Sequence, residues 1–137
     1  MPPEYFADTW YLVALHDRFD NHHLPARRLR ARYGGGRLIT HEMVLTEVLA
    51  LFSRRGAAAR AVAVTVVREL MREGEVVTPD RRLFLRAVDL YASRPDKEYS
   101  LVDCMSMVLM RERGIDHVLT NDHHFRQEGF TVLSDAP

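Results

Sequence analysis

Four acidic residues stand where a sheet protein gathers its chemistry: Asp8, Glu47, Asp103 and Asp122, with Glu42 a nearby rival to Glu47. Asp8 and Asp122 each follow a short apolar run, Tyr5-Phe6-Ala7 and His117-Val118-Leu119-Thr120. Asp103 comes three residues after Ser100, the spacing of a capping box, at the head of an apolar stretch with helical period. Singly, each acid has an ordinary explanation. Asp is frequent where chains leave strands, and an acid in a first helical turn complements the macrodipole. Together they are harder to explain that way. Carboxylates meeting at one edge repel, and each is pushed towards protonation unless a cation joins them. The local sequence places no lysine or arginine to do so, and oxygen donors suit Mg²⁺ or Mn²⁺. Such an ion normally retains waters and binds substrate phosphate, and it can activate a bound water for in-line attack at phosphorus.

Such a meeting needs elements that deliver the acids to one edge. Tyr5 to Ala7 reads as a strand and Trp10 to His16 as a helix. A second helix spans Leu24 to Tyr33, with Pro25 near its start. Gly34-Gly35-Gly36 then turns the chain into a strand at Arg37 to Thr40. These glycines lie between helix and strand, the reverse of a phosphate loop, so a plain turn is expected. His41 to Phe52 reads as a helix closed by Gly56, and Ala57 to Glu73 as a longer one whose Ala/Val-rich part is expected to be mainly core. A strand at Glu75 to Thr78 precedes a helix marked by Leu83, Phe84, Ala87, Val88 and Tyr91. After the polar segment Arg94 to Tyr99 come a helix ending at Gly114, a strand at His117 to Thr120 and a last strand at Phe130 to Leu133. Alternating strands and helices predict an α/β fold: one domain over 1–137, with a mostly parallel sheet of four or five strands and helices on both faces. In such sheets, sites form at the carboxyl ends of the strands, where helix N-termini also point.

Composition sets the outer bounds. The chain has 137 residues, a formal net charge of zero and 47% hydrophobic content, ordinary for one globular domain. No segment has the roughly 18 uninterrupted apolar residues of a membrane helix, and the start, Met-Pro-Pro-Glu-Tyr-Phe, lacks the pattern of a signal peptide. Cys104, the single cysteine, excludes an internal disulfide and suits the reducing cytoplasm, where we expect the protein to work. The pairs His22-His23 and His123-His124 lack zinc spacing; His123 or His124 could touch a substrate or simply begin a helical turn before a buried Phe125. Eighteen of the 19 basic residues are arginines, read as solvated helix faces.

Tyr5-Phe-Ala-Asp8-Thr9, Thr46-Glu47-Val-Leu, Ser100-Leu-Val-Asp103-Cys104 and Leu119-Thr-Asn-Asp122-His-His-Phe125, in this order, resemble the acidic motifs of PIN domains. The resemblance is greatest to the small VapC-type ribonucleases of toxin–antitoxin pairs, and it covers nearly the whole chain. It implies a metal-dependent endoribonuclease in which Asp8, Glu47, Asp103 and Asp122 surround one or two Mg²⁺ or Mn²⁺ ions, leaving 5′-phosphate and 3′-hydroxyl ends. It also implies a small antitoxin protein as partner, and a homodimer. Glu47 fits the second motif better than Glu42. Thr9 and Ser100 are candidates for supporting hydroxyls, and Asn121 for a contact with substrate or a metal water. Trp10 departs from the pattern, since a small hydroxyl or aliphatic residue often follows Asp-Thr. The alternative is a PIN-like RNA-binding or regulatory module without turnover. Haloacid dehalogenase phosphotransferases also open with strand-Asp-Thr, but their chemistry wants a second Asp where Trp10 stands.

Overall fold

A computed structural model describes residues 1–133; the expected domain span of 1–137 therefore extends four residues outside the described part. Five strands, β1 (Glu4–Ala7), β2 (Arg37–His41), β3 (Glu75–Val77), β4 (His117–Leu119) and β5 (Thr131–Val132), form one sheet in the order β3-β2-β1-β4-β5. Every neighbouring pair is parallel. From β1 the chain adds β2 and β3 on one side, then returns to place β4 and β5 on the other. The direction of winding thus reverses between β1 and β4, and a crevice opens beyond their carboxyl ends.

Among the described residues, seven helices connect the strands. α1 (Thr9–His16), α2 (His23–Tyr33), α3 (Glu42–Phe52) and α4 (Ala57–Glu73) pack among themselves, while α5 (Arg81–Ser93) lies against α6 (Leu101–Arg113). The single-turn α7 (His124–Gln127) follows β4. The sheet is covered in this way by two helical groups, as parallel strands with crossover helices require.

The middle of the sheet is the core. Phe6, Ile39, Val118 and Leu119 are at most 1% exposed, and α6 adds Cys104, Met105, Met107, Leu109 and Met110. Each large apolar side chain buried there contributes about 1.5–3 kcal/mol. Ser100 starts α6 and Gly114 stops it. Gly114 takes the left-handed conformation (φ 66°), and the next residue, Ile115, turns its N–H back to Met110 O at 2.8 Å. The triple glycine is a turn, as expected. Gly36 needs to be glycine because a Cβ there would lie 2.4 Å from the Tyr5 ring.

Two expectations need correction, and the helix marked by Leu83 to Tyr91 forms as expected. α4 is not mainly core: only Ala63, Val66 and Leu70 are buried, and Val62 and Val64 are exposed. This helix lies against the sheet along one narrow stripe, and alanine and valine on its other faces reflect composition, not burial. Gly56 does not close α3; that helix ends at Phe52, and Gly56 precedes α4 with φ 94°. In α5 the buried stripe is Leu83, Ala87 and Leu90, leaving Phe84, Val88 and Tyr91 outside.

Candidate metal centre

The site begins with register. Ala7 pairs with Leu119, so one step further along the two strands Asp8 comes beside Thr120. Asp8 N–H donates to Leu119 O (3.2 Å), extending the ladder past the end of β1. The Thr120 hydroxyl donates to Asp8 Oδ2 at 2.8 Å and accepts from the Asp122 N–H at 3.1 Å. One hydroxyl thus ties the first acid to the backbone of the last.

Asp8 is 6% exposed, and its carboxyl is pushed up to about 7. Burial is the main cause, and the charges of Asp103 and Asp122 add to it; the bond from Thr120 and the Thr9 backbone oppose it. Asp103 arrives from the other direction, on the first turn of α6. It completes the capping box, with Ser100 N–H donating to Asp103 Oδ2 (3.0 Å) and Asp103 N–H donating to Ser100 Oγ (3.1 Å). Its carboxyl too is held above the ordinary range, by burial first and by Asp122 as well. Asp122 lies in the bend after β4, its Oδ1 accepting the His124 N–H at 2.9 Å. The structure therefore brings Asp8, Asp103 and Asp122 within electrostatic reach of one another.

Glu47 comes from α3, half-buried, and its Oε1 accepts from Thr9 Oγ1 at 2.6 Å. Thr9 adjoins Asp8, so this bond draws Glu47 towards the same crevice. The rival Glu42 turns elsewhere and accepts from Thr78 Oγ1 beyond β3 (3.2 Å). Asn121 is exposed in the bend between Thr120 and Asp122. Trp10 is half-buried, its ring 5.7 Å from that of His22.

Two residues at the site were not singled out by the sequence. Thr120 read only as the end of a strand. His124 was one of two adjacent histidines, and the structure separates them sharply: the His123 side chain is 71% exposed and that of His124 16%. His124 Nδ1 lies 3.1 Å from Asp122 Oδ1 and 3.7 Å from Asp103 Oδ2. One ligand atom from each of Asp103, Asp122 and His124 can be chosen so that all three fall within 4.8 Å of one another. His41, at the end of β2, is fully buried, its Nε2 2.9 Å from Ser106 Oγ on α6. The Ser106 hydroxyl donates to Val102 O, so Nε2 is assigned as the donor to it. Burial holds the His41 imidazole down at about 4, neutral under ordinary conditions.

A family model described as the PIN domain matches residues 5–130. The chain belongs to the PIN domain family. This PIN domain is 33% identical over 129 residues to the protein named 23S rRNA-specific endonuclease VapC20 of Mycobacterium tuberculosis, in strains CDC 1551 and H37Rv alike; the match covers 93% of the chain and 96% of the relative. Among solved structures it is similar to the crystal structure of M. tuberculosis VapC20, described as a sarcin–ricin loop cleaving toxin, with a TM-score of 0.86 and 30% identity. That similarity covers 95% of this chain and 98% of the other. The residues of this PIN domain fit a divalent cation. Its carboxylates are mutually repelling, and a buried imidazole nitrogen without a hydrogen-bond partner among the described residues lies beside two of them.

Proposed function

We propose that the chain is a metal-dependent endoribonuclease, hydrolysing RNA phosphodiester bonds with Mg²⁺ or Mn²⁺, and that it is the toxin of a type II toxin–antitoxin pair. The observation that carries this reading is the convergence of Asp8, Asp103 and Asp122 at the point where the sheet reverses its winding, with burial and mutual repulsion raising the first two. The names of the relatives, an endonuclease and a toxin, support the same reading.

In this mechanism Asp8, Asp103, Asp122 and Glu47 hold one or two ions. A divalent ion bound among them supplies an activated water and neutralises charge developing at phosphorus. The remaining work is done by the chain. The Thr120 hydroxyl fixes the Asp8 carboxylate, the Ser100 backbone N–H fixes that of Asp103 and the Thr9 hydroxyl fixes that of Glu47, so the donors need little reorganisation. Asn121, exposed at the rim, contacts the RNA backbone. The four acids repel phosphate unless cation is present, so RNA binding at the crevice is coupled to metal binding.

A sarcin–ricin-type RNA hairpin is the first substrate to test, since the similar proteins are named for that activity. Wild type with Mg²⁺ or Mn²⁺ is expected to cut it to 5′-phosphate and 3′-hydroxyl products. Asp8→Asn and Asp103→Asn are each expected to lower the rate by about 10²-fold or more. Equal cleavage by wild type and both variants would eliminate the site. A small antitoxin and a second copy of the chain are the proposed partners, at work in the cytoplasm. The exposed apolar side chains Met43, Leu51, Val62, Val64, Phe84 and Leu85 support a covered surface on α3, α4 and α5. No helix among the described residues is long and apolar enough to cross a membrane.

A further inference from the structure

His124 is held in place by a network that leads away from the crevice. Its ring meets that of Tyr99 edge-on, with centroids 5.2 Å apart. The Tyr99 hydroxyl donates to Glu128 Oε2 at 2.9 Å. Glu128, with a side chain only 5% exposed, also accepts from Arg94 Nε (2.9 Å), Arg94 Nη2 (3.2 Å) and Arg111 Nη2 (3.1 Å). A buried carboxylate tied to two guanidinium groups is a rigid support for Tyr99, and Tyr99 in turn sets the plane of the imidazole.

That plane brings Nδ1 up to the acids. The nitrogen is inaccessible to solvent, and its contact with Asp122 Oδ1 at 3.1 Å is too poorly aligned to be a hydrogen bond. Asp122 Oδ1 already accepts the backbone N–H of the same histidine. A buried polar atom left unmatched beside two carboxylates is costly unless something lies between them. A cation shared by Nδ1, Asp103 and Asp122 satisfies all three.

We propose that His124 Nδ1 is a metal ligand alongside Asp103 and Asp122, and that this nitrogen biases the centre towards first-row transition ions over Mg²⁺. The inference rests on the metal-centre reading above and adds a donor to it. Mg²⁺ takes oxygen ligands almost exclusively and retains its waters, so an imidazole gives it little. Transition ions gain from nitrogen donors along the series that begins at Mn²⁺.

The test uses tag-free protein without RNA and Mn²⁺ alone as the probe. Pulsed electron paramagnetic resonance of the Mn²⁺-loaded wild type is expected to show ¹⁴N modulation from a coordinated imidazole, replaced by the ¹⁵N pattern when histidine is ¹⁵N-labelled. His124→Phe, which keeps a ring against Tyr99, is expected to lose the modulation and to weaken Mn²⁺ binding in calorimetry by about tenfold or more, with Mg²⁺ binding changed by less than about threefold. His123→Ala is expected to keep the signal. Mn²⁺ bound to wild type without ¹⁴N modulation would overturn the assignment while leaving the carboxylate centre standing. So would equal loss of both ions in His124→Phe. Wild type that binds no Mn²⁺ at all would overturn the centre itself. The labelled wild-type spectrum read together with that of His123→Ala decides the point even if the phenylalanine variant fails to fold.

Discussion

Thr120 has a single hydroxyl and uses it twice, as donor to Asp8 and as acceptor from the Asp122 N–H. Thr120→Val keeps the shape and removes both bonds inside a buried site. We expect it to cost about 1–3 kcal/mol in urea unfolding, and Thr120→Ser to recover most of that. Asp8 gives a pH dependence of defined sign. In the metal-free fold its carboxyl holds a proton up to about pH 7, against an ordinary value of 3.8. Between these values the folded chain binds more protons than the unfolded one. The stability Asp8 contributes is therefore complete below about pH 4 and is lost as pH rises through 7. Asp8→Asn removes that loss. In chelator, the variant should be more stable than wild type at pH 8 by a few kcal/mol, on the order of what such a shift is worth, and the gap should close towards pH 4. A gap independent of pH would contradict the burial of a titrating carboxyl. The acids were legible in the sequence because residue type and position after an apolar run point to them. Thr120 and His124 were not. The role of Thr120 depends on the register of two strands whose partners lie 112 residues apart, and that of His124 on which of two adjacent rings turns inward.

At the scale of the element, α6 combines a structural start with a proposed functional one. The same capping box that begins the helix aims Asp103, so Ser100→Ala should have two effects. Loss of the cap should destabilise the fold by about 1 kcal/mol in thermal or urea unfolding. Removing the hydroxyl that helps hold the Asp103 charge should move its carboxyl further upward, seen as weaker metal binding at mildly acidic pH. Elements with a decisive local signal read correctly: Ser100 and Gly114 bracket α6, and the alternation of strand and helix gave the α/β class. α4 read poorly because alanine and valine are compatible with any face of a helix, and only packing against the sheet selects Ala63, Val66 and Leu70. α5 read correctly as a helix, but its sequence did not say which apolar residues face in: packing against α6 turns Leu83, Ala87 and Leu90 inward and leaves Phe84 and Tyr91 exposed.

For the whole molecule, the centre links the two halves of the sheet, since Asp8 follows β1 and Asp122 follows β4 across the reversal of winding. A cation there joins segments that unfolding separates, so it should stabilise the fold by mass action. At a Mn²⁺ concentration a hundredfold above its dissociation constant the gain is about 2.7 kcal/mol, or several degrees in Tm by calorimetry. Chelator should reverse it, and Asp122→Ala should abolish it. Strand order was the part of the architecture least legible beforehand. Each ladder pairs residues far apart in the chain, and no local pattern says which strand lies beside which.

That distance also sets a clock. Asp8 is made early and Thr120 late, 112 positions further along the chain. At about 5–20 residues per second, roughly 6–22 s separate the two during synthesis. A nascent chain can fold β1, β2 and β3 with their helices in that interval, but Asp8 has no Thr120 beside it and no Asp122 beyond. The crevice acquires its full set of acids only when β4 docks against β1. On the function proposed above, the nuclease should stay inert until β4 and Asp122 have been translated, and become competent in that single late step.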